Sequence, residues 1–375
     1  MSRVLFVSPA VPADARNGLA MRAGTSVEAL HRHHDLTVAV VRSPYDTSPF
    51  DWVEQHAASV IDRCCTDDRL AAMSWMASER GRRVLSGGLP WLARLRPPAL
   101  GDDLVEAVGT GFDAAVLMGT YAAGLAIPFL EAGVPCVLDA FDDDAATCAS
   151  LGRLDPAMLD EVPLFEAFQR EVFPWFERVS FASLDDAVAP FVHLPNAVAV
   201  PERRHTTAGS SPLRLLFVGH AGYAPNADAL ARLHERIVPA VRARGLEVEL
   251  VHPGPDDDVT DAYRVAHLAV VPLRAGGGTR IKILEAFAHG CPVVATPTGA
   301  AGLGIEPGRH LVVTDDDEDD DAVVEAIVDL ARDERRRERL AAEGRAFVER
   351  HHDRREVGER LVAMVDQVIA SAGAR

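Results

Sequence analysis

A chain of 375 residues is too long for one ordinary core and suits two, and with 48% hydrophobic residues it can fill both. Its formal net charge of -18 sets up a field that repels nucleic-acid phosphates and anionic lipid, which sets aside a general nucleic-acid binder. Five cysteines without a CxxC, and no apolar run long enough for a signal core or a membrane span, set aside a disulfide scaffold and a transmembrane protein. The pattern is that of a cytoplasmic protein and leaves peripheral contact with a membrane open.

Short β-branched runs alternate with longer stretches of helical period. Val4 to Val7 reads as the first buried strand, Leu19 to His31 as a helix and Leu36 to Val41 as the next strand. From about Thr66 to Asp103 the periodicity weakens, and we read helices with an irregular connection. Ala114 to Met118, Val134 to Leu138 and Val179 to Ala182 continue the strand series. Continuous apolar strands separated by helices predict a parallel sheet covered on both faces. Residues 201–212 are polar and turn-forming, as in a linker. The rhythm then restarts. Strands are predicted at Leu213 to Val218, Leu246 to Val251, Leu268 to Val271, Val293 to Ala295 and Leu311 to Val313, with a helix at Ala227 to Arg244. The chain from about Asp321 to Ala370 is helical and charged, and Val357 to Ile369 carries an apolar stripe. The expected domains are therefore 1–200, a linker 201–212, 213–355, and a terminal helix 356–375 that packs back on the first domain. In doubly wound sheets ligands bind beyond the carboxyl ends of the strands, so the default site is the cleft between two such lobes.

The stretch Arg274 to Thr296, RAGGGTRIKILEAFAHGCPVVAT, carries the most chemistry. Gly276, Gly277 and Gly278 let a ligand approach the backbone closely. Thr279 is placed to cap a helix from about Arg280 to His289, and Gly290 to end it. The N-terminus of that helix offers free N–H groups and partial positive charge, which suits a phosphate. Arg280 and Lys282 add full charges where cations are locally unfavourable, which makes sense with an anion between them. Glu285, one turn on, suits a ribose hydroxyl.

This stretch resembles the donor motif of GT-B glycosyltransferases, glycosyltransferase family 4 in particular, in its GGGTRxKxLEA form. VLFVSP with Asn17-Gly18 resembles the first strand and glycine loop of that family, and LPNAV at Leu194 to Val198 the end of its first domain. LLFVGHAGYAPNADAL resembles the opening of its second domain, and GAAGL at Gly299 to Leu303 follows in the family's place. The resemblance implies two Rossmann-like α/β domains facing across a cleft. It also implies sugar transfer from a nucleotide-sugar donor to an unidentified acceptor, with retention at the anomeric carbon, and no metal or cofactor beyond the co-substrate. By the same resemblance Arg280 and Lys282 hold the diphosphate, Glu285 the ribose, and Asn17, Gly18, Gly219, Gly277, Gly278 and Thr279 line the donor.

Two family positions differ. The first Glu of the E-x7-E motif falls at Gly277, and a sugar-contacting histidine falls at Phe141, with Asp139 or Asp142 as candidate substitutes in the chemistry. These changes motivate two rival readings: a nucleotide-sugar-binding protein without transfer, and a GT-B-fold epimerase or hydrolase. The acidic runs Asp142 to Asp144 and Asp315 to Asp321 read as solvated loops, Asn226 as a helix cap, and His31, His33 and His34 as solvated residues at a helix end.

Overall fold

The computed structural model describes residues 1–14, 17–43, 46–64, 88–94, 99–202, 211–254 and 257–374. The chain divides into two compact units. The first comprises Met1–Ala149, Ala157–Pro195 and Arg355–Arg375, and the second Ser150–Pro156 and Asn196–Arg354. Most of the linker segment lies outside the described residues.

In the first unit seven parallel strands run β3-β2-β1-β4-β5-β6-β7, where β1 is Arg3–Ser8, β2 Asp35–Arg42, β3 Ser59–Cys64, β4 Ala114–Met118, β5 Cys136–Phe141, β6 Arg178–Phe181 and β7 Val192–His193. Val4, Leu5, Phe6 and Val7 are at most 1% exposed, as a strand covered on both faces requires. Each such side chain contributes roughly 1.5–3 kcal/mol of burial. The order reverses between β1 and β4, so loops leaving these two strands diverge and open a crevice at the carboxyl edge.

The helix Gly18–His33 follows β1. Asn17 caps it, its side chain accepting from Ala20 N at 3.0 Å. Opposite Gly24 of that helix there is no room for a side chain, because a Cβ would stand 2.2 Å from Ala13 O. The C-terminal helix Arg354–Gly373 buries Val357, Leu361, Val362, Val365 and Val368. A Cβ on its Gly358 would stand 2.7 Å from that of Ala29, so the two helices meet closely. His31 and His33 are exposed, but His34 is buried, 3.8 Å from Asp366, and burial pushes its imidazole down.

In the second unit five parallel strands run β12-β11-β10-β8-β9, where β8 is Leu213–Leu216, β9 Val248–Val251, β10 Leu268–Val271, β11 Val293–Ala295 and β12 Val312–Val313. The switch in order falls between β8 and β10. The loop after β8 contains Gly219, and the loop after β10 contains the three glycines, so the two segments singled out above flank one crevice. The helix expected at Ala227 to Arg244 starts earlier, with Pro225 in its first turn. It runs as Ala224–Arg232, a π turn Leu233–Ile237, and Val238–Ala243.

Two strands lacked a clear sequence signal. β3 has only exposed and half-buried residues, and β7 is only two residues long. In the weakly periodic region, Trp91–Arg94 and Ala99–Val108 are helical, while 65–87 and 95–98 lie outside the described residues. No helix among the described residues is long and apolar enough to cross a membrane. Cys136 and Cys291 are buried free thiols.

Candidate functional site

The glycine loop leaves β10 under tight control. Arg232 donates from Nη1 to Pro272 O at 2.7 Å, and Thr296 Oγ1 to Leu273 O at 2.5 Å. Arg274 grips Asp228 through two hydrogen bonds and Glu318 at 2.7 Å. Gly276 and Gly278 have φ of 129° and 61°, conformations that side-chain-bearing residues rarely adopt. The Arg280 guanidinium turns back onto this loop and donates to the carbonyl oxygens of Gly276, Gly277 and Gly278. Arg280 is only 7% exposed, so its charge serves first to fix the shape of the loop.

The helix that follows is Ile281–His289, and its N-cap is Arg280, whose side chain makes no capping bond. The expected cap, Thr279, falls one residue too early. Its hydroxyl accepts from Asn196 Nδ2 at 2.6 Å instead. Ile283 N donates to Arg280 O at 2.9 Å, while the cap side chain takes neither Ile281 N nor Lys282 N. The other end is closed as predicted, by Gly290 in the left-handed conformation. That end is also held from outside. Arg345 Nη1 donates to Ala288 O at 2.7 Å, and a Cβ on Gly344 would stand 2.6 Å from the Phe287 ring.

Lys282 reaches from this helix to the loop after β8. Its Nζ donates to Asn226 Oδ1 at 2.7 Å and lies 4.4 Å from the centre of the Phe217 ring. A Cβ on Gly219 would stand 2.8 Å from both Asn226 and Lys282, so this glycine makes the room. Asn226 is thus not the cap predicted from sequence. Tyr223 holds the cap position, and Asn226 lies inside the first turn with its amide turned to the lysine. Glu285 is one turn on from Lys282. Tyr263 Oη, from the helix Val259–Val265, donates to Lys282 O at 3.0 Å and touches Glu285 Oε2 at 3.4 Å.

Burial pushes Lys282 down to about 7, helped by the Arg280 charge, and pushes Glu285 up to about 7. The two shifts leave a signature in stability. Between pH 4.5 and about 7 the folded protein holds the Glu285 proton longer than the unfolded chain does, so stability falls as pH rises. Between about 7 and 10.5 the unfolded chain holds the Lys282 proton longer, so stability rises with pH. Both side chains keep some contact with solvent, so each arm is on the order of 1–3 kcal/mol after screening. Thermal unfolding across pH, wild type minus the Lys282→Met/Glu285→Gln double variant, is expected to show a minimum near pH 7. A flat difference would count against the burial of this pair.

The structure brings Gly219, Lys282 and Glu285 together with Asn226, Phe217 and Tyr263, three residues the motif reading did not assign to the site. Gly277, Gly278, Thr279 and Arg280 form the loop alongside. Asn17 and Gly18 belong to the first unit, at the start of the helix after β1. Asp139 also belongs to the first unit and is 1% exposed. Its Oδ1 accepts from Arg22 Nη2 at 2.6 Å and Ser180 Oγ at 2.9 Å, and its Oδ2 from Arg22 Nε at 2.7 Å. Arg22 Nη2 also donates to Leu194 O at 2.9 Å. This carboxylate is committed to an internal ion pair, not presented at a surface. Phe141 ends β5 at φ 52°, rare for a bulky residue, with its ring edge-on to Tyr121.

The acidic runs are not merely solvated. Asp143 Oδ1 accepts from Ala145 N and Ala146 N and so caps its own helix. Asp317 binds Thr298, Asp319 caps the helix Asp320–Arg332, and Asp320 pairs with Arg232 and Arg236. Among the described residues no group of three or more His, Cys, Asp or Glu side chains is gathered as a metal ion requires.

Two parallel Rossmann-like sheets, with a cationic glycine loop at the switch point of the second, make up the GT-B fold. Residues 199–333 match the family described as glycosyl transferases group 1. Solved structures agree on the fold. Sucrose-phosphate synthase from Thermosynechococcus elongatus is similar with a TM-score of 0.69 at 13% identity, covering 99% of this chain and 100% of that one. The Anabaena protein HepE in complex with UDP and glucose is similar with a TM-score of 0.66 at 14% identity, covering 98% and 100%. HepE in complex with UDP-glucose gives 0.65 at 15% identity with the same coverage. No curated protein sequence matches the chain closely enough to count as a relative.

Proposed function

We propose that this protein transfers a sugar from a nucleoside diphosphate sugar to an acceptor, with retention at the anomeric carbon. One observation carries the reading. Inside the segment that matches the group 1 family, an uncapped helix N-terminus and the Lys282 ammonium lie together at the switch point of a parallel sheet. Positive dipole and positive charge at one place suit a diphosphate leaving group, whose charge grows as the sugar departs. Arg280 adds its charge to the loop whose shape it fixes. Glu285, beside Tyr263, is the group for the ribose, and Gly219 leaves room for the phosphates.

In such a transfer the leaving phosphate oxygen can take the proton of the acceptor hydroxyl. The protein then mainly orients the reactants and stabilises charge, which requires no metal. Structures of similar fold hold UDP and UDP-glucose, which makes UDP-glucose the first donor to try. A second reading, donor binding without transfer, is favoured by Gly277 and Phe141 standing where the resembling family has a glutamate and a histidine.

The test is release of UDP from UDP-glucose with sugar, lipid and small-molecule acceptors, with the product anomer read by NMR. Acceptor-dependent release of an α-configured product supports transfer with retention. Tight binding of UDP-glucose with no release over the panel supports the second reading, and free glucose without acceptor supports hydrolysis.

A further inference from the structure

We propose that Asn226 is a positioning residue for the donor, holding the Lys282 ammonium in a fixed notch so that the cation is in place before a nucleoside diphosphate arrives. The inference rests on the donor reading given above and concerns a residue to which that reading assigns no role. The orientation of the amide is dictated by its neighbours. His220 O can only accept, and it lies 3.0 Å from Asn226 Nδ2, so the amide nitrogen must face it and the amide oxygen must face Lys282. The Lys282 Nζ then sits 2.7 Å from that oxygen, against the face of Phe217, in the space that Gly219 leaves by having no side chain. Asn226 is 8% exposed, so little water competes for either bond.

Helix formation does not explain this asparagine. Asparagine is a poor former inside a helix and a good one at the cap, and here Tyr223 occupies the cap. Its chemical type fits the positioning role better than aspartate would. A neutral oxygen orients an ammonium without cancelling its charge. A carboxylate in the same place would neutralise the cation and set an anion against the incoming diphosphate. Without the amide oxygen, a flexible lysine would lose its fixed geometry, and burial would press it further toward the neutral form.

The test is a double-mutant cycle on UDP affinity by calorimetry, with thermal unfolding as a check on folding. Asn226→Ala is expected to weaken UDP about 10-fold. Lys282→Met is expected to weaken it more, and the double variant no further than Lys282→Met alone. Asn226→Asp, of nearly the same shape, is expected to lose more than Asn226→Ala. The proposal is overturned if Asn226→Ala or Asn226→Asp binds UDP as wild type does. It is also overturned if the loss from Asn226→Ala persists in full in the Lys282→Met background, because that marks a structural role. Should UDP bind and depend on Lys282 but not on Asn226, only this inference fails. Should UDP not bind the wild-type protein at all, the donor reading fails with it.

Discussion

Lys282→Met is expected to slow sugar transfer by on the order of 100- to 1000-fold, the loss seen when a single preorganised group aimed at developing charge is removed. The ammonium lies in a partly dry notch, 2.7 Å from Asn226 Oδ1 and against Phe217, so it needs little rearrangement to meet a leaving phosphate. Where water is scarce, one charge acts on another more strongly than it would in solution. The substitution should not unfold the protein. Burial already opposes the charged form of Lys282, and a methionine can follow the same path and rest its thioether on the Phe217 ring. The unfolding midpoint at neutral pH is therefore expected to stay level or rise while turnover collapses. Steady-state release of the nucleoside diphosphate, measured beside thermal unfolding, checks both halves. A folded variant that keeps wild-type turnover would remove Lys282 from the chemistry.

Asp139→Ala is expected to act through stability, at about 3–5 kcal/mol, because it leaves a buried guanidinium without its carboxylate. Arg22 is 6% exposed and Asp139 1%, so solvent cannot take over the lost interaction. Replacing both partners by apolar residues, as Arg22→Met with Asp139→Leu, should recover most of the loss, since no buried charge then remains. Denaturant unfolding of the two single variants and the double variant reads this directly. Equal losses in all three would mean that the pair is not coupled. Through Leu194 O the same arginine ties the end of the first unit's last strand region to the helix after β1, so local order there should fall with it.

The contrast between these two residues shows how much of the site was legible in the sequence. The glycine loop and the helix that follows it were readable because close backbone approach and a helix start leave local marks in the chain. β4, β10 and β11 were readable to the residue, because a strand buried on both faces is an unbroken apolar run bounded by turn residues. What failed was whatever depends on a distant partner. Asn226 after a proline looks like a cap, and only the approach of Lys282, 56 residues later, gives its amide another use. Asp139 at a strand end looks available for chemistry, and only Arg22, 117 residues earlier, shows it to be occupied. Thr279 looks like a cap because it precedes the helical period, yet Asn196 claims its hydroxyl. β3 escaped because an edge strand need not be apolar on either side. The acidic run at Asp315 to Asp321 looked solvated because the arginines that pair with Asp320 come from the helical segment before β9.

A crystal structure of the protein with UDP would test the central claim most directly. The account predicts the β-phosphate within hydrogen-bonding distance of Lys282 Nζ and of the first backbone N–H groups of the helix Ile281–His289, with Glu285 at the ribose. A nucleotide bound elsewhere, or one whose phosphates turn away from that helix end while Lys282 stays on Asn226, would contradict it.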